Sequence, residues 1–209
     1  ALAAVERLQK VIQAGHILGC NAVAVKAAGH DDPAVFLRAS DRLRKAVDKA
    51  ERLELNVLLA PNDGLTATPE RITELIKKIG GFRVGTFPDF QAAAAAPDPI
   101  AYLRRLTPYA SVVSASTLKF TPEKGADADS PDAPVKHGPY ALEPLVEAIL
   151  SVGYDGTLAI DYRGTGDAKL GVMRSRRIFE RLLSGDVDDS ELPDEDEGEL
   201  PAEEPDEEE

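Results

Sequence analysis

Apolar residues along this chain alternate between short continuous runs and stretches with helical spacing. In the clearest example, the run Asn56–Ala60 and a second run at 82–87 flank a segment whose apolar residues recur every three or four positions. Thr68 followed by Pro69 suits the start of a helix there, and the glycine pair at 80–81 suits its end. The pattern predicts one strand–helix–strand unit.

The same alternation continues over residues 4–183. Strands are predicted at 21–26, 56–60, 82–87, 110–116 and 157–162, and helices at 4–18, 35–53, 69–79, 99–106, 142–152 and 169–183. Residues 121–139 lack such a pattern and are predicted as a long loop, either a lid over a site or an insertion. Strands that alternate with helices predict an α/β fold with a parallel sheet.

The number of predicted strands bounds the architecture. A (β/α)8 TIM barrel has eight parallel strands and usually about 250 residues, whereas this pattern contains five strands. We therefore predict a TIM-barrel type domain at residues 1–183 that is incomplete and represents the carboxyl-terminal five-eighths of a barrel. An open five-stranded sheet is the alternative.

Polar residues collect where the predicted strands end, and in parallel α/β folds ligands bind at that edge. The candidates are His30 after the first strand, Asn62 after the second, Asp89 after the third, Lys119 after the fourth, and Asp161 and Arg163 at the fifth. For several of them the alternative interpretation is a structural role without ligand binding. His30 suits an ordinary turn, Lys119 a lysine that covers apolar surface, and Arg163 an ion pair with Asp161.

Net charge changes the picture only at one end of the chain. The chain carries a formal charge of −13, and residues 184–209 contain 15 acidic residues and no basic ones, so the remainder has a charge of +2. Such a block with Pro and Gly and little apolar content predicts a disordered acidic tail. A solvating role is the simplest interpretation, docking to a basic protein partner and weak cation binding are alternatives, and a homo-oligomer is left open.

Composition also removes several classes of function. No apolar run approaches the ~20 residues that cross a bilayer, so no membrane partner is expected, and the single cysteine, Cys20, excludes an internal disulfide. Three histidines, a body of nearly neutral charge and the acidic tail argue against nucleic-acid binding. These features fit a cytoplasmic protein.

Several stretches, at 56–70, 84–90, 109–114 and 153–162, resemble the sugar phosphate isomerase/epimerase family, the xylose isomerase-like TIM barrels. The resemblance covers about residues 2–183 and begins at the third helix of the barrel. It implies a divalent cation (Mn²⁺, Mg²⁺ or Zn²⁺) held by four side chains at the strand ends, and a small-molecule sugar or sugar phosphate as the substrate.

Mapped onto this chain, the four ligand positions of the family fall on Ala60, Asp89, Ser114 and Asp161. Asp89 and Asp161 keep carboxylates and are the predicted catalytic and metal-binding residues, while His30, Asn62, Lys119 and Arg163 are the predicted substrate-binding residues. Ala60 has no donor atom, and Ser114 has a neutral hydroxyl that binds transition metals poorly.

Two functions follow from this mapping. The first is metal-assisted proton transfer next to a sugar carbonyl, if the protein is active. The alternative is a catalytically degenerate TIM barrel that binds a carbohydrate or a protein partner without turnover.

Overall fold

The computed structural model describes residues 2–184. The strands are β1 Ala22–Lys26, β2 Asn56–Ala60, β3 Val84–Thr86, β4 Val112–Thr117, β5 Lys119–Pro122, β6 Val135–Gly138 and β7 Thr157–Tyr162. The helices are α1 Leu2–Ile17, α2 Pro33–Arg52, α3 Pro69–Ile79, α4 Phe90–Ala94, α5 Pro99–Leu106, α6 Glu143–Leu150 and α7 Ala168–Ser184, with a 3₁₀ turn at Thr107–Tyr109. The predicted acidic tail, from residue 185 onward, lies outside the described residues.

Five parallel strands lie side by side in the order β1-β2-β3-β4-β7. Strands β1, β2 and β3 form one hydrogen-bonded ladder, and β4 pairs with β7 in another. Single parallel bridges from Thr86 to Ala110 and from Asp89 to Ser114 join β3 to β4. Within residues 2–184 the strands do not close into a barrel, which confirms the prediction of an α/β, partial TIM-barrel fold.

The helices have apolar sides, and α2, α3, α4 and α5 also have a side-chain cap at the residue before their first turn. In α3, the Thr68 hydroxyl accepts a hydrogen bond from the Arg71 amide at 3.3 Å, and Gly80 ends the helix at a φ of 67°. Apolar residues of the helices then pack against β2, whose last four residues are buried. This packing fixes the carboxyl end of the sheet, at which the polar candidates lie.

Two elements differ from the sequence prediction. The segment at 121–139 is not a structureless loop, because β5 and β6 pair as an antiparallel hairpin, with Phe120 opposite His137. Phe120 stacks on Tyr162 of β7 with ring centroids 6.1 Å apart, which anchors the hairpin to the sheet. The short helix α4 was also not predicted; it begins directly after Asp89, whose carboxylate accepts a hydrogen bond from the Ala92 amide at 2.8 Å.

Among the helices of residues 2–184, none combines the length and the apolar content that a membrane crossing requires.

Candidate functional site

The side chain of Arg163 joins two carboxylates at the carboxyl edge of the sheet. Its Nη2 atom lies 2.5 Å from Asp89 Oδ2 and 2.7 Å from Asp161 Oδ2, and its Nε atom lies 3.0 Å from the same Asp161 oxygen. Its Nη1 atom donates to Gln91 Oε1 at 2.9 Å and to Asp89 Oδ1 at 3.2 Å. The Ser114 hydroxyl completes the group and lies 3.4 Å from Asp161 Oδ2. We call Asp89, Gln91, Ser114, Asp161 and Arg163 the arginine cluster.

Strand pairing explains why residues so far apart in sequence meet here. Asp89 follows β3 and forms a parallel bridge with Ser114 of β4. In the ladder between β4 and β7, Ser114 lies opposite Ala159 and Ser116 lies opposite Asp161. The carboxylates therefore converge from the two sides of β4.

Charge in the arginine cluster is nearly balanced and unevenly exposed. Asp89 is 7% exposed, whereas the side chains of Asp161 and Arg163 are 45% and 37% exposed. Burial acts to lower the pKa of Arg163, but the hydrogen bonds to Asp89 and Asp161 outweigh it and raise that pKa. The guanidinium therefore stays charged, and with two ionised carboxylates the cluster carries a net charge of −1.

The residues at the four family ligand positions do not fit a transition-metal site. Ala60 has no donor, Ser114 offers a hydroxyl, and both carboxylate oxygens of Asp89 and the Oδ2 atom of Asp161 already accept hydrogen bonds from the Arg163 guanidinium. Within the described residues, no three His, Cys, Asp or Glu side chains group closely enough to hold a metal ion. A divalent cation would have to displace Arg163 to reach both carboxylates.

A second layer of hydrogen bonds supports the arginine cluster from the hairpin side. The Ser116 hydroxyl accepts a hydrogen bond from the Gln91 amide at 2.8 Å, and the Tyr140 hydroxyl donates to the Ser116 carbonyl at 2.6 Å. His137 lies edge-on to the Tyr140 ring, with centroids 4.7 Å apart. This packing ties the hairpin to the strands that carry the carboxylates.

Both ring nitrogens of His137 are engaged by backbone groups. Nε2 accepts a hydrogen bond from the Leu118 amide at 2.9 Å, and Nδ1 lies 2.8 Å from the Tyr140 carbonyl oxygen. An amide only donates and a carbonyl only accepts, so the ring must be neutral with its proton on Nδ1. Burial lowers the pKa of His137, although the bond to Tyr140 opposes this shift.

A cleft of about 670 Å³ opens beside the arginine cluster, between the loops that follow β2 and β3. Its lining consists of Lys26, Pro61, Asn62, Asp63, Ala67, Thr68, Pro69, Glu70, Ala92, Ala95, Ala96, Pro97 and Tyr102. We call it the Lys26 cleft. Gly64 allows one wall to form: a Cβ there would overlap the Gly29 carbonyl oxygen, which accepts a hydrogen bond from the Leu65 amide at 2.9 Å.

The residues predicted from sequence are divided between these two places. Asp89, Asp161 and Arg163 meet in the arginine cluster, and Asn62 lines the Lys26 cleft. His30 lies in the exposed loop after β1, and Lys119 is the exposed first residue of β5. The structure brings neither of these two into the arginine cluster or the lining of the cleft.

Two residues of these sites were not identified from sequence. Tyr102 occupies an apolar position of α5, where the sequence pattern predicts a core residue. Only the structure shows that it also lines the cleft. Gln91 lies in the first turn of α4, the helix that Asp89 caps. Identification of Asp89 as an N-cap would have placed Gln91 next to it.

Three comparisons place the chain among known proteins. A sequence profile of the family described as xylose isomerase-like TIM barrel matches residues 1–182. No curated protein matches the chain in sequence.

Solved structures share the fold at low sequence identity. An L-ribulose 3-epimerase has a TM-score of 0.69 and 15% identity, over 87% of this chain and 67% of that one. A xylose isomerase-like TIM barrel protein from Mycobacterium smegmatis in complex with magnesium has a TM-score of 0.62 and 19% identity, over 86% and 67%. An AP endonuclease of family 2 from Brucella melitensis has a TM-score of 0.61 and 18% identity, over 80% and 64%. The chain thus spans about two thirds of the length of these proteins.

Proposed function

This chain belongs to the xylose isomerase-like TIM barrel family, and we propose that it is a catalytically degenerate member, one that binds a sugar or sugar phosphate without metal-dependent turnover. The observation that carries this proposal is the position of Arg163, whose guanidinium bridges Asp89 and Asp161. The sugar is suggested by the structural relatives, among which is an L-ribulose 3-epimerase.

An arginine in this position opposes both chemical roles that the family assigns to the carboxylates. A carboxylate that accepts two hydrogen bonds from a guanidinium is a poor general base, because protonation would cost it that ion pair. The same hydrogen bonds compete with any cation for the oxygen atoms. Arg163 instead supplies the positive charge that offsets the repulsion between the two neighbouring carboxylates.

A second candidate function is metal-assisted proton transfer next to a sugar carbonyl, with Mn²⁺, Mg²⁺ or Zn²⁺ at Asp89 and Asp161. One observation favours it: a single atom, Arg163 Nη2, lies within 2.7 Å of an oxygen of each carboxylate. One cation at that point would therefore contact both residues. The magnesium complex of the Mycobacterium smegmatis protein is consistent with such chemistry in the family.

Paramagnetic broadening by Mn²⁺ separates the two functions. The ¹⁵N-labelled full chain would be titrated with Mn²⁺, and broadening of amides at 86–91 and 161–164 would be compared with that at residues 184–209, whose 15 acidic residues serve as the reference for nonspecific cation binding. We expect no selective broadening in the wild type and selective broadening in Arg163→Met, which frees both carboxylates. Arg176→Met, which breaks only an exposed ion pair to Glu180 on α7, is the matched control.

Selective, micromolar Mn²⁺ binding by the wild type would contradict the degenerate reading and support the second function. Turnover of a ketose such as L-ribulose or D-tagatose in the presence of Mn²⁺ would establish the second function and refute the first. Absence of binding by any free or phosphorylated sugar would refute the sugar-binding proposal itself.

The proposal also covers the choice of partner. We propose that nucleic acid is not a ligand, although an AP endonuclease shares the fold. The chain without its last 26 residues has a formal charge of only +2, and counterion release from phosphates needs a basic face. Fluorescence polarisation with a labelled abasic duplex at 50 mM salt should show no saturable binding.

A further inference from the structure

Polar side chains at the rim of the Lys26 cleft lack partners. The ammonium of Lys26, the amide of Asn62 and the carboxylate of Asp63 make no side-chain hydrogen bond or ion pair with any described residue. Lys26 is the last residue of β1 and Asn62 follows β2, so strand pairing sets their spacing. The rim therefore presents both donors and acceptors, which is what a ligand with several hydroxyl groups requires.

Tyr102, which lines the cleft, has a hydroxyl with the same lack of partners. Tyr102 is 4% exposed, and its hydroxyl is buried without a hydrogen bond to any described residue. A buried hydroxyl without a partner is costly, so native proteins rarely leave one. Burial, together with the charge of Asp89, raises the pKa of Tyr102, so the hydroxyl stays a neutral donor and acceptor.

The remaining lining suits the carbon skeleton of a sugar. Ala92, Ala95 and Ala96, with Pro61 and Pro97, form an apolar surface without bulky side chains. A sugar ring has C–H faces as well as hydroxyl edges, and this cleft offers apolar contact and hydrogen bonds on different sides. Its volume of about 670 Å³ lies within the range of small-ligand pockets.

We infer that the Lys26 cleft is the sugar-binding site of this chain: Asn62 and Asp63 bind hydroxyls at the rim, the ring of Tyr102 contacts the carbon skeleton, and Lys26 binds the phosphate of a phosphorylated sugar. This inference rests on the proposed function and names the site at which that function is performed. The arginine cluster then has a structural role next to this site, because its side chains form hydrogen bonds and ion pairs with one another.

The test is a chemical-shift titration of the ¹⁵N-labelled full chain. The probes are L-ribulose, D-tagatose, D-fructose 6-phosphate and inorganic phosphate. We expect amide shifts at 62–70 and 92–97 for the sugars, with tighter binding of the phosphorylated sugar. Asn62→Ala and Asp63→Asn should each weaken binding about tenfold, whereas Lys26→Met should weaken only the phosphorylated sugar.

Two pairs of variants separate ligand contact from structural damage. Asp155→Asn is the control for Asp63→Asn. It changes an exposed aspartate at the opposite, amino edge of the sheet, and its affinity for the sugars should equal that of the wild type. Tyr102→Phe should change neither the sugar affinity nor the melting temperature, because its hydroxyl is buried and has no partner to lose. Tyr154→Phe should lower the melting temperature without changing the affinity, because its hydroxyl donates to the Thr157 carbonyl at 2.8 Å.

Each other outcome overturns a defined statement. Sugar-induced shifts centred on 89–91 and 161–164, with unchanged affinity in the cleft variants, would refute this inference and leave the proposed function standing. Equal binding of inorganic phosphate and D-fructose 6-phosphate, with none of the free sugars, would make the cleft a phosphate site and refute the sugar assignment. No shift with any probe at 50-fold excess would refute both the inference and the proposed function.

Discussion

The arginine cluster and the Lys26 cleft lie on the same edge of one sheet, yet their polar groups are used in opposite ways. In the cluster, Asp89, Asp161 and Arg163 satisfy one another at distances of 2.5–3.2 Å. In the cleft, Asn62 and Tyr102 have side-chain polar atoms without partners among the described residues. This difference shows that residues at the expected ligand positions of the family can have a structural role. Side chains that are free to hydrogen-bond a ligand then lie next to them.

If the cluster is structural, its most buried member should matter most for stability. Asp89→Ala removes the cap of α4 and leaves Arg163 with one carboxylate instead of two. We expect the free energy of unfolding to fall by about 3 kcal/mol, measured by urea denaturation. The more exposed Asp161→Ala should cost only about 1 kcal/mol, and equal losses in the two variants would contradict this ranking.

Removal of the guanidinium should be the next largest effect. Arg163→Met leaves two carboxylates close together without a counter-charge, and we expect a loss of about 2 kcal/mol at pH 7. The difference from wild type should shrink at high ionic strength, because salt screens the repulsion between the partly exposed carboxylates. Urea unfolding at low and high salt measures it, with Arg176→Met as the control. A constant difference at both salt concentrations would show that lost packing, not charge, is the cause.

The hairpin that supports the cluster should respond to pH through His137. Protonation of Nε2 breaks its hydrogen bond from the Leu118 amide, and burial lowers the pKa below the ordinary value of 6.5. The unfolded chain therefore takes up this proton first, so the contribution is complete above pH 6.5 and decreases as the pH falls through the folded-state pKa. We expect a loss on the order of 1 kcal/mol.

The measurement compares unfolding free energies between pH 5 and pH 8 for the wild type and His137→Gln. The variant should be less stable at pH 8, but its stability should depend less on pH. Parallel curves would assign the pH dependence to other groups.

Changes in the cleft should have the smallest effect on stability. Asn62→Ala removes a side chain that bonds no described residue, so we expect a change within about 0.5 kcal/mol. Differential scanning calorimetry against the wild type measures it. A loss comparable to that of Asp89→Ala would mean that the cleft residues, too, serve the fold.

Much of the fold could be predicted from the sequence, because each main-sheet strand is an apolar run beside a helix with an apolar side, and several of these helices have a clear cap, as at Asp32 and Thr68. The hairpin could not, since Phe120 is held by stacking on Tyr162, which is distant in sequence, and His137 by the Leu118 amide, 19 residues earlier. The helix α4 was missed because Asp89 was interpreted as a metal ligand and not as an N-cap.

For the site, the sequence could not predict the direction in which each side chain points. Spacing placed Asp89, Asp161 and Arg163 at strand ends, but it could not show that one guanidinium faces both carboxylates. The cleft depends on the alanines of α4 and of the turn that follows it, and on Tyr102, which occupies a core position. A site made from an unpredicted helix and a core position has no local signal in the sequence.

Arg163 also has a consequence for how the protein depends on its surroundings. A guanidinium attached to the chain has a fixed local concentration beside Asp89 and Asp161, independent of any cation in the medium. A chelator such as EDTA cannot remove it, and dialysis cannot dilute it. The shape of this edge of the sheet is thereby uncoupled from metal supply, so it should stay the same in metal-starved and metal-replete cells.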